Sequence, residues 1–166
     1  MAAKDTVFPP SGGLKNRPRH SAREPANVIT APVWEGEEYH RIEPGRYLVR
    51  VSKIQGPEWV RNFGRWSLRI ECHLMHEPGV VSLFINLGTD RSAPKIGKSR
   101  QSKYFQHWTL ANQGPPRKGQ PMNWDIFIDK CFWARVEESR LNSERKEKMD
   151  AEVYSRISKF EEFAGP

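Results

Sequence analysis

Cysteine is scarce: among 166 residues only Cys72 and Cys131 occur. Two thiols cannot build a disulfide scaffold, and no C-x-x-C pair suggests zinc or redox chemistry. Long apolar runs are missing as well. No stretch approaches the ~20 consecutive apolar residues that a membrane helix needs, and the first residues lack the apolar core of a secretory signal. The expectation is a soluble, intracellular protein without a membrane partner.

Catalytic and ligand-holding signatures are equally thin. "GKSRQSK" contains Gly97, Lys98 and Ser99 but lacks the upstream glycine of a phosphate-binding loop, which argues against NTP hydrolysis. "CHLMH" offers Cys72, His73 and His76, yet strand alternation sends Cys72 inward and His73 outward, a poor geometry for one shared metal. Asp90, Asp125 and Asp129 are scattered through turn-like segments without the pattern of a two-metal hydrolase. The chain therefore reads as a non-enzyme with no cofactor and no metal.

What is abundant is positive charge and aromatic surface. Lys and Arg outnumber Asp and Glu by 27 to 20, a net charge of +7, which favours polyanionic partners. Six Trp, eight Phe and four Tyr stand beside a hydrophobic share of only 37%, so the core should be aromatic-rich and flanked by polar segments. The length suits one domain. Residues 1–32 are rich in proline and glycine and carry the basic cluster "LKNRPRHSAR" without apolar periodicity, which reads as a disordered basic arm. The domain is expected over 33–163, with 164–166 as a tail.

Alternation of period two marks the strands. "RYLVRVSKI" places Tyr47, Val49 and Val51 on one face. After a "GPEWVRNFG" loop, "RWSLRIECHL" aligns Trp66, Leu68, Ile70, Cys72 and Leu74, and "VVSLFINL" puts Val81, Leu83, Ile85 and Leu87 inward with Ser82, Phe84 and Asn86 outward. These three strands form a meander. "SRQSKYFQHWTLANQGPP" then carries Tyr104, Trp108 and Ala111 at helical spacing before a Gly-Pro-Pro stop. A short helical turn is expected at "NWDIFID", capped by Asn123 and burying Trp124, Phe127 and Ile128. "KCFWARVEES" is a fourth strand, with Phe132, Ala134 and Val136 inward. "VYSRISKF" offers a fifth, with Val153, Ser155, Ile157 and Lys159 on one face, while a helix over residues 142–163 competes because Glu, Lys, Arg and Met favour helices.

Three meandering strands, a helix, and two further strands joined by a charged loop is the order of an oligonucleotide/oligosaccharide-binding (OB) barrel: a mostly β, five-stranded fold with the helix between strands three and four. That fold binds oligonucleotides on strands two and three, beside the loop between strands one and two. Trp59 and Phe63 then serve as stacking platforms, or alternatively as a plug closing one barrel end. Arg61 and Arg65 are placed to meet phosphates, and Arg50, Arg69, His73 and Phe84 extend the surface. Arg117 and Lys118 in "GPPRKGQPM" are either phosphate contacts or solvated charges on a rigid connection. Between strands four and five a basic flap is expected, carrying Arg140, Arg145, Lys146 and Lys148.

The motifs "EPGRYLVRV", "YFQHWTLAN", "GPPRKGQPM" and "KCFWARVEE", over about residues 40–160, resemble the phage- and mobile-element-type single-stranded DNA-binding proteins with an OB-like core. The chain departs from that pattern at Asp129, where glycine usually precedes the lysine of strand four, and at its end, "KFEEFAGP", which lacks an acidic glycine-rich tail. The resemblance implies protection or presentation of single strands in replication, recombination or transposition, a cytoplasmic, nucleoid-associated location, and no catalytic residue. The expected activity is single-stranded nucleic-acid binding by base stacking and phosphate neutralisation. Two alternatives remain open: a protein-interaction or assembly module, with a protein partner or homo-oligomer, and an RNA-binding module.

Overall fold

The computed structural model describes residues 41–97, 99–142 and 144–166. The proposed basic arm, residues 1–32, and the expected start of the domain at residue 33 lie outside the described residues. Among the described residues, five strands, β1 (Gly45–Val60), β2 (Arg65–Leu74), β3 (Val80–Asn86), β4 (Cys131–Ser139) and β5 (Tyr154–Gly165), accompany one α-helix, α1 (Lys103–Asn112). They close in the order β1-β2-β3-β5-β4, with β4 returning to β1. This is the expected OB-like barrel. Its weakest seam lies between β3 and β5, a parallel contact with the single register pair Leu83↔Ile157.

Alternation explains the core. Val49, Val51, Leu68, Ile70, Cys72, Leu83, Ile85, Phe132, Ala134 and Val136 are all buried on the inner face. The aromatic share is concentrated there: the Phe132 and Phe160 rings stack at 4.4 Å, and Phe127 lies 6.4 Å from each of them. Helix α1 starts where the Ser102 side chain accepts a hydrogen bond from the Phe105 amide, and ends at Gln113 in a left-handed conformation. Its inner face buries Tyr104, His107, Trp108 and Ala111. The Tyr104 hydroxyl donates to the Met122 carbonyl at 2.6 Å and the Trp108 indole N–H to the Asn123 carbonyl at 3.1 Å. Lys130 Nζ donates to the Ala111 carbonyl at 2.7 Å, where a cation suits the unsatisfied carbonyls of a helix C-terminus.

Four local expectations are corrected. The "GPEWVRNFG" segment is not a free loop. β1 continues to Val60 and pairs with β2 up to Val60↔Arg65, with only a 3-10 turn, Arg61–Phe63, at the tip. The ribbon absorbs its extra residues in register shifts at Val51/Lys53 and Gln55/Glu58. Glycine is required twice: at Gly56, with φ +96°, a Cβ would lie 2.9 Å from the Ser67 carbonyl oxygen, and Gly64 turns the tip at φ +57°.

The turn at Trp124–Phe127 is a 3-10 helix in which Phe127 is buried and Trp124 half-buried. Ile128 points to solvent and the Asn123 side chain makes no cap, because the turn is too short to bring Ile128 round to the core. In the disputed C-terminal segment the strand wins over the helix, since its apolar residues find β4 as a partner. Its expected face, however, switches midway. Val153, Ser155 and Ile157 are buried, but a register shift opposite Arg135/Val136 then turns Phe160 inward and Lys159 outward. β5 also runs on to Gly165, past residue 163.

Candidate nucleic-acid interface

Outer-face residues of β2 and β3 meet the two adjoining loops in a cleft of about 710 Å³. The β1–β2 ribbon supplies Gln55, Glu58, Val60, Phe63, Arg65, Ser67 and Arg69, and β3 supplies Phe84. The far wall consists of Ser139, Leu141, Asn142 and Lys148 from the β4–β5 connection, with Tyr154 and Arg156 from β5. Each strand contributes alternate residues because its other face is in the core.

Two rings in the cleft are open to solvent, Phe63 at 51% and Phe84 at 39% exposure. Both have a guanidinium beside them. The Arg65 Cζ is 5.0 Å from the Phe63 ring centre and the Arg69 Cζ 5.9 Å from that of Phe84. Arg69 is further oriented by a 3.0 Å hydrogen bond from Nε to Ser82 Oγ and by Glu71 at 3.5 Å. On the opposite wall Lys148 Nζ lies 4.2 Å over the Tyr154 ring and donates to Ser139 Oγ at 3.1 Å. Among the described residues that line the cleft, four cations, Arg65, Arg69, Lys148 and Arg156, thus face one carboxylate, Glu58. At the β3 edge Lys103 Nζ donates to the Phe84 carbonyl at 3.2 Å. Burial, and then the charge of Arg156, lower its pKa to about 8.

The basic flap is a small hairpin. Leu141 bridges to Glu147, and Asn142 Oδ1 accepts from the Glu144 and Lys146 amides, each at 2.9 Å. Arg140 pairs with Glu138 and Lys146 with Glu144, and of the four flap cations, Arg140, Arg145, Lys146 and Lys148, it is Lys148 that lines the cleft.

The structure therefore gathers Phe63, Arg65, Arg69 and Phe84 and disperses the other predicted site residues. Trp59 pairs with Trp66 across the ribbon, ring centres 5.8 Å apart and edge-on at 72°, on the face turned away from Glu58 and Val60. Half-buried Trp66 is anchored by its indole N–H to the Asp90 carbonyl at 2.8 Å. Arg61 is exposed at the ribbon tip outside the cleft lining. Arg50 faces Asp129 at 3.5 Å, and exposed His73 is its register partner; neither lines the cleft. Arg117 and Lys118 line a separate shallow pocket over residues 112–120, where the Arg117 amide donates to Gln120 Oε1 at 2.9 Å.

Sequence reasoning placed Lys148 on the basic flap but missed Glu58, Tyr154 and Arg156 as members of the site. Glu58 stood in plain view between the aromatic residues, but the β5 pair becomes a signal only once β5 is known to lie across from β2. Cys72 is fully buried, which raises its thiol pKa, while His73 is exposed. No group of three His, Cys, Asp or Glu side chains suited to a metal occurs among the described residues. Nor does any helix among them have the length and apolarity to cross a membrane.

Among known families, the one described as the Enhanced disease susceptibility 1 protein EP domain matches residues 73–165, more than half of the chain. The chain belongs to this family. The match overturns the resemblance to phage- and mobile-element-type single-stranded DNA-binding proteins. That resemblance rested on motifs that any β-barrel with one helix needs: a glycine before a strand, a tryptophan in a helix, a turn of Gly and Pro. The EP-domain match starts at His73, near the end of β2, and so takes in Phe84, Lys148, Tyr154 and Arg156 but not the β1–β2 ribbon with Phe63, Arg65 and Arg69. No curated protein matches the chain.

Proposed function

We propose that the cleft binds single-stranded nucleic acid, DNA foremost, without catalysing a reaction on it. One observation carries the reading: two exposed phenyl rings, each beside a guanidinium, share a cleft with two further cations on the facing wall. Bases stack on Phe84 and Phe63 whatever their identity, at about 1–3 kcal/mol per stack, and the cations neutralise the phosphates that follow. A duplex offers its bases only at their edges, so a ring in a cleft selects unpaired strands.

Fluorescence anisotropy with a labelled oligothymidine tests the reading. Binding at low salt that weakens with added salt, and that Phe84→Ala and Arg69→Ala each reduce, supports it. Absence of binding at low salt, or indifference to both substitutions, overturns it. Competition with the matching RNA strand separates DNA from RNA binding, since the 2′-hydroxyl is the difference such a site senses.

A second reading, a protein-interaction or assembly module, is favoured by Leu141, which adds 54% exposed apolar surface to the cleft wall facing Phe63. Light scattering on the protein free of nucleic acid decides it: a stable oligomer abolished by Leu141→Ser supports this reading, and a monomer removes the homo-oligomeric form.

A further inference from the structure

Among the described residues of the cleft, one works against phosphate binding. Glu58 lies on the wall that also carries Arg65 and Arg69, is exposed, and makes no hydrogen bond or ion pair among the described residues.

Its position follows from the register. Gln55 pairs with Arg69 and Arg69 with Phe84, one rung across the sheet; Glu58 pairs with Ser67 on the next cleft-facing rung; Val60 pairs with Arg65, beside Phe63, on the rung after that. Along the strand direction Glu58 therefore occupies a rung between those of the two rings, on β1, two strands across the sheet from Phe84. Arg69 and Arg65 are four residues apart on β2, roughly 14 Å at the rise of a strand, enough room for bases on both rings with Glu58 near the base edges.

An ionised carboxylate only accepts hydrogen bonds. Guanine is the base whose Watson–Crick edge presents two parallel donors, N1–H and the 2-amino group, and a carboxylate accepts both. Adenine and cytosine offer one amino donor beside a ring nitrogen acceptor, and thymine sets its single N–H between two carbonyl oxygens that repel the carboxylate. Unpaired strands leave that edge free.

We infer that Glu58 gives the cleft a preference for guanine-bearing single strands by accepting hydrogen bonds from the guanine Watson–Crick edge. The inference rests on the cleft binding single strands at all, and its test separates the two. Affinities of wild type and Glu58→Gln are compared, by anisotropy, for oligothymidine, for the same strand carrying isolated guanines, and for that strand with inosine, which lacks the 2-amino group, in place of guanine. Wild type is expected to favour the guanine strand by about tenfold, with inosine between. Glu58→Gln should collapse the three affinities to within about twofold while strengthening oligothymidine binding, because a negative charge has left the cleft. Equal wild-type affinities for the three strands, or a guanine preference that survives Glu58→Gln, overturn the inference and leave cleft binding standing. No binding of any strand at low salt overturns the cleft reading itself.

Discussion

Arg69 spans the β2–β3 register, with its guanidinium 5.9 Å from the Phe84 ring and its Nε donating to Ser82 Oγ at 3.0 Å. The arginine is held ready beside the ring rather than swinging freely. Phe84→Ala should cost about 1–3 kcal/mol of strand affinity, and Arg69→Ala a comparable loss that shrinks at high salt. Because the two side chains touch, the double variant should lose less than the sum, a shortfall that a double-mutant cycle measures.

Salt dependence counts the phosphates met. With Arg65, Arg69, Lys148 and Arg156 in the cleft, the logarithm of affinity should fall with the logarithm of salt at a slope of about −3, and Arg156→Ala should flatten it by about 0.7. Titrations at several salt concentrations read both values. An unchanged slope in the variant would remove Arg156 from the contact set.

Trp59 and Phe63 are four residues apart yet should behave oppositely. Phe63→Ala should weaken strand binding and barely touch stability, its ring being 51% exposed. Trp59→Ala should destabilise the ribbon by about 0.5–1.5 kcal/mol through the lost edge-on contact with Trp66, with affinity changed by less than about twofold. Urea melts and anisotropy on both variants make the comparison.

His107 governs acid stability. It is buried on α1 with its ring 5.3 Å from Phe160, its Nε2 has no hydrogen-bond partner among the described residues, and burial lowers its pKa to about 3. Because the folded pKa lies below the unfolded value of about 6.5, the unfolded chain takes up the proton first, so stability is full above about pH 6.5 and is lost as pH falls toward 3. Between pH 6.5 and 5, above the carboxylate range, the wild type should lose up to about 2 kcal/mol. His107→Leu should abolish that slope, as denaturant melts at the two pH values will register.

Helix α1 is fastened by Trp108, 2% exposed, through packing and through its hydrogen bond to the Asn123 carbonyl. Trp108→Ala should cost about 3–5 kcal/mol, and Trp108→Phe less, although it leaves that carbonyl short of its donor. Thermal or urea denaturation checks the order.

Strand identity was legible residue by residue. Side chains at i and i+2 share a face, so Val49 with Val51, Leu68 with Ile70 and Cys72, and Phe132 with Ala134 and Val136 announced both the strands and the buried side. The helix was equally plain from Tyr104, Trp108 and Ala111. Less legible was anything that depended on counting across a bulge. Phe160 sits in the core and Lys159 outside because one shift against β4 reverses the parity of β5. Trp59 turns toward Trp66 because the ribbon takes up its extra residues at Gln55/Glu58.

Local periodicity and charge were enough to specify the elements, their inward faces, the aromatic core and the basic character of the surface, for these depend on neighbours a few positions apart. Which of the basic and aromatic residues would share a cleft was decided by barrel closure. Arg69 and Arg156 line one cavity from strands far apart in the chain, and Arg50 and Arg117, equally basic, are carried elsewhere. Register between distant strands is set by the joint packing of all their inner faces, and no window along the chain contains that information.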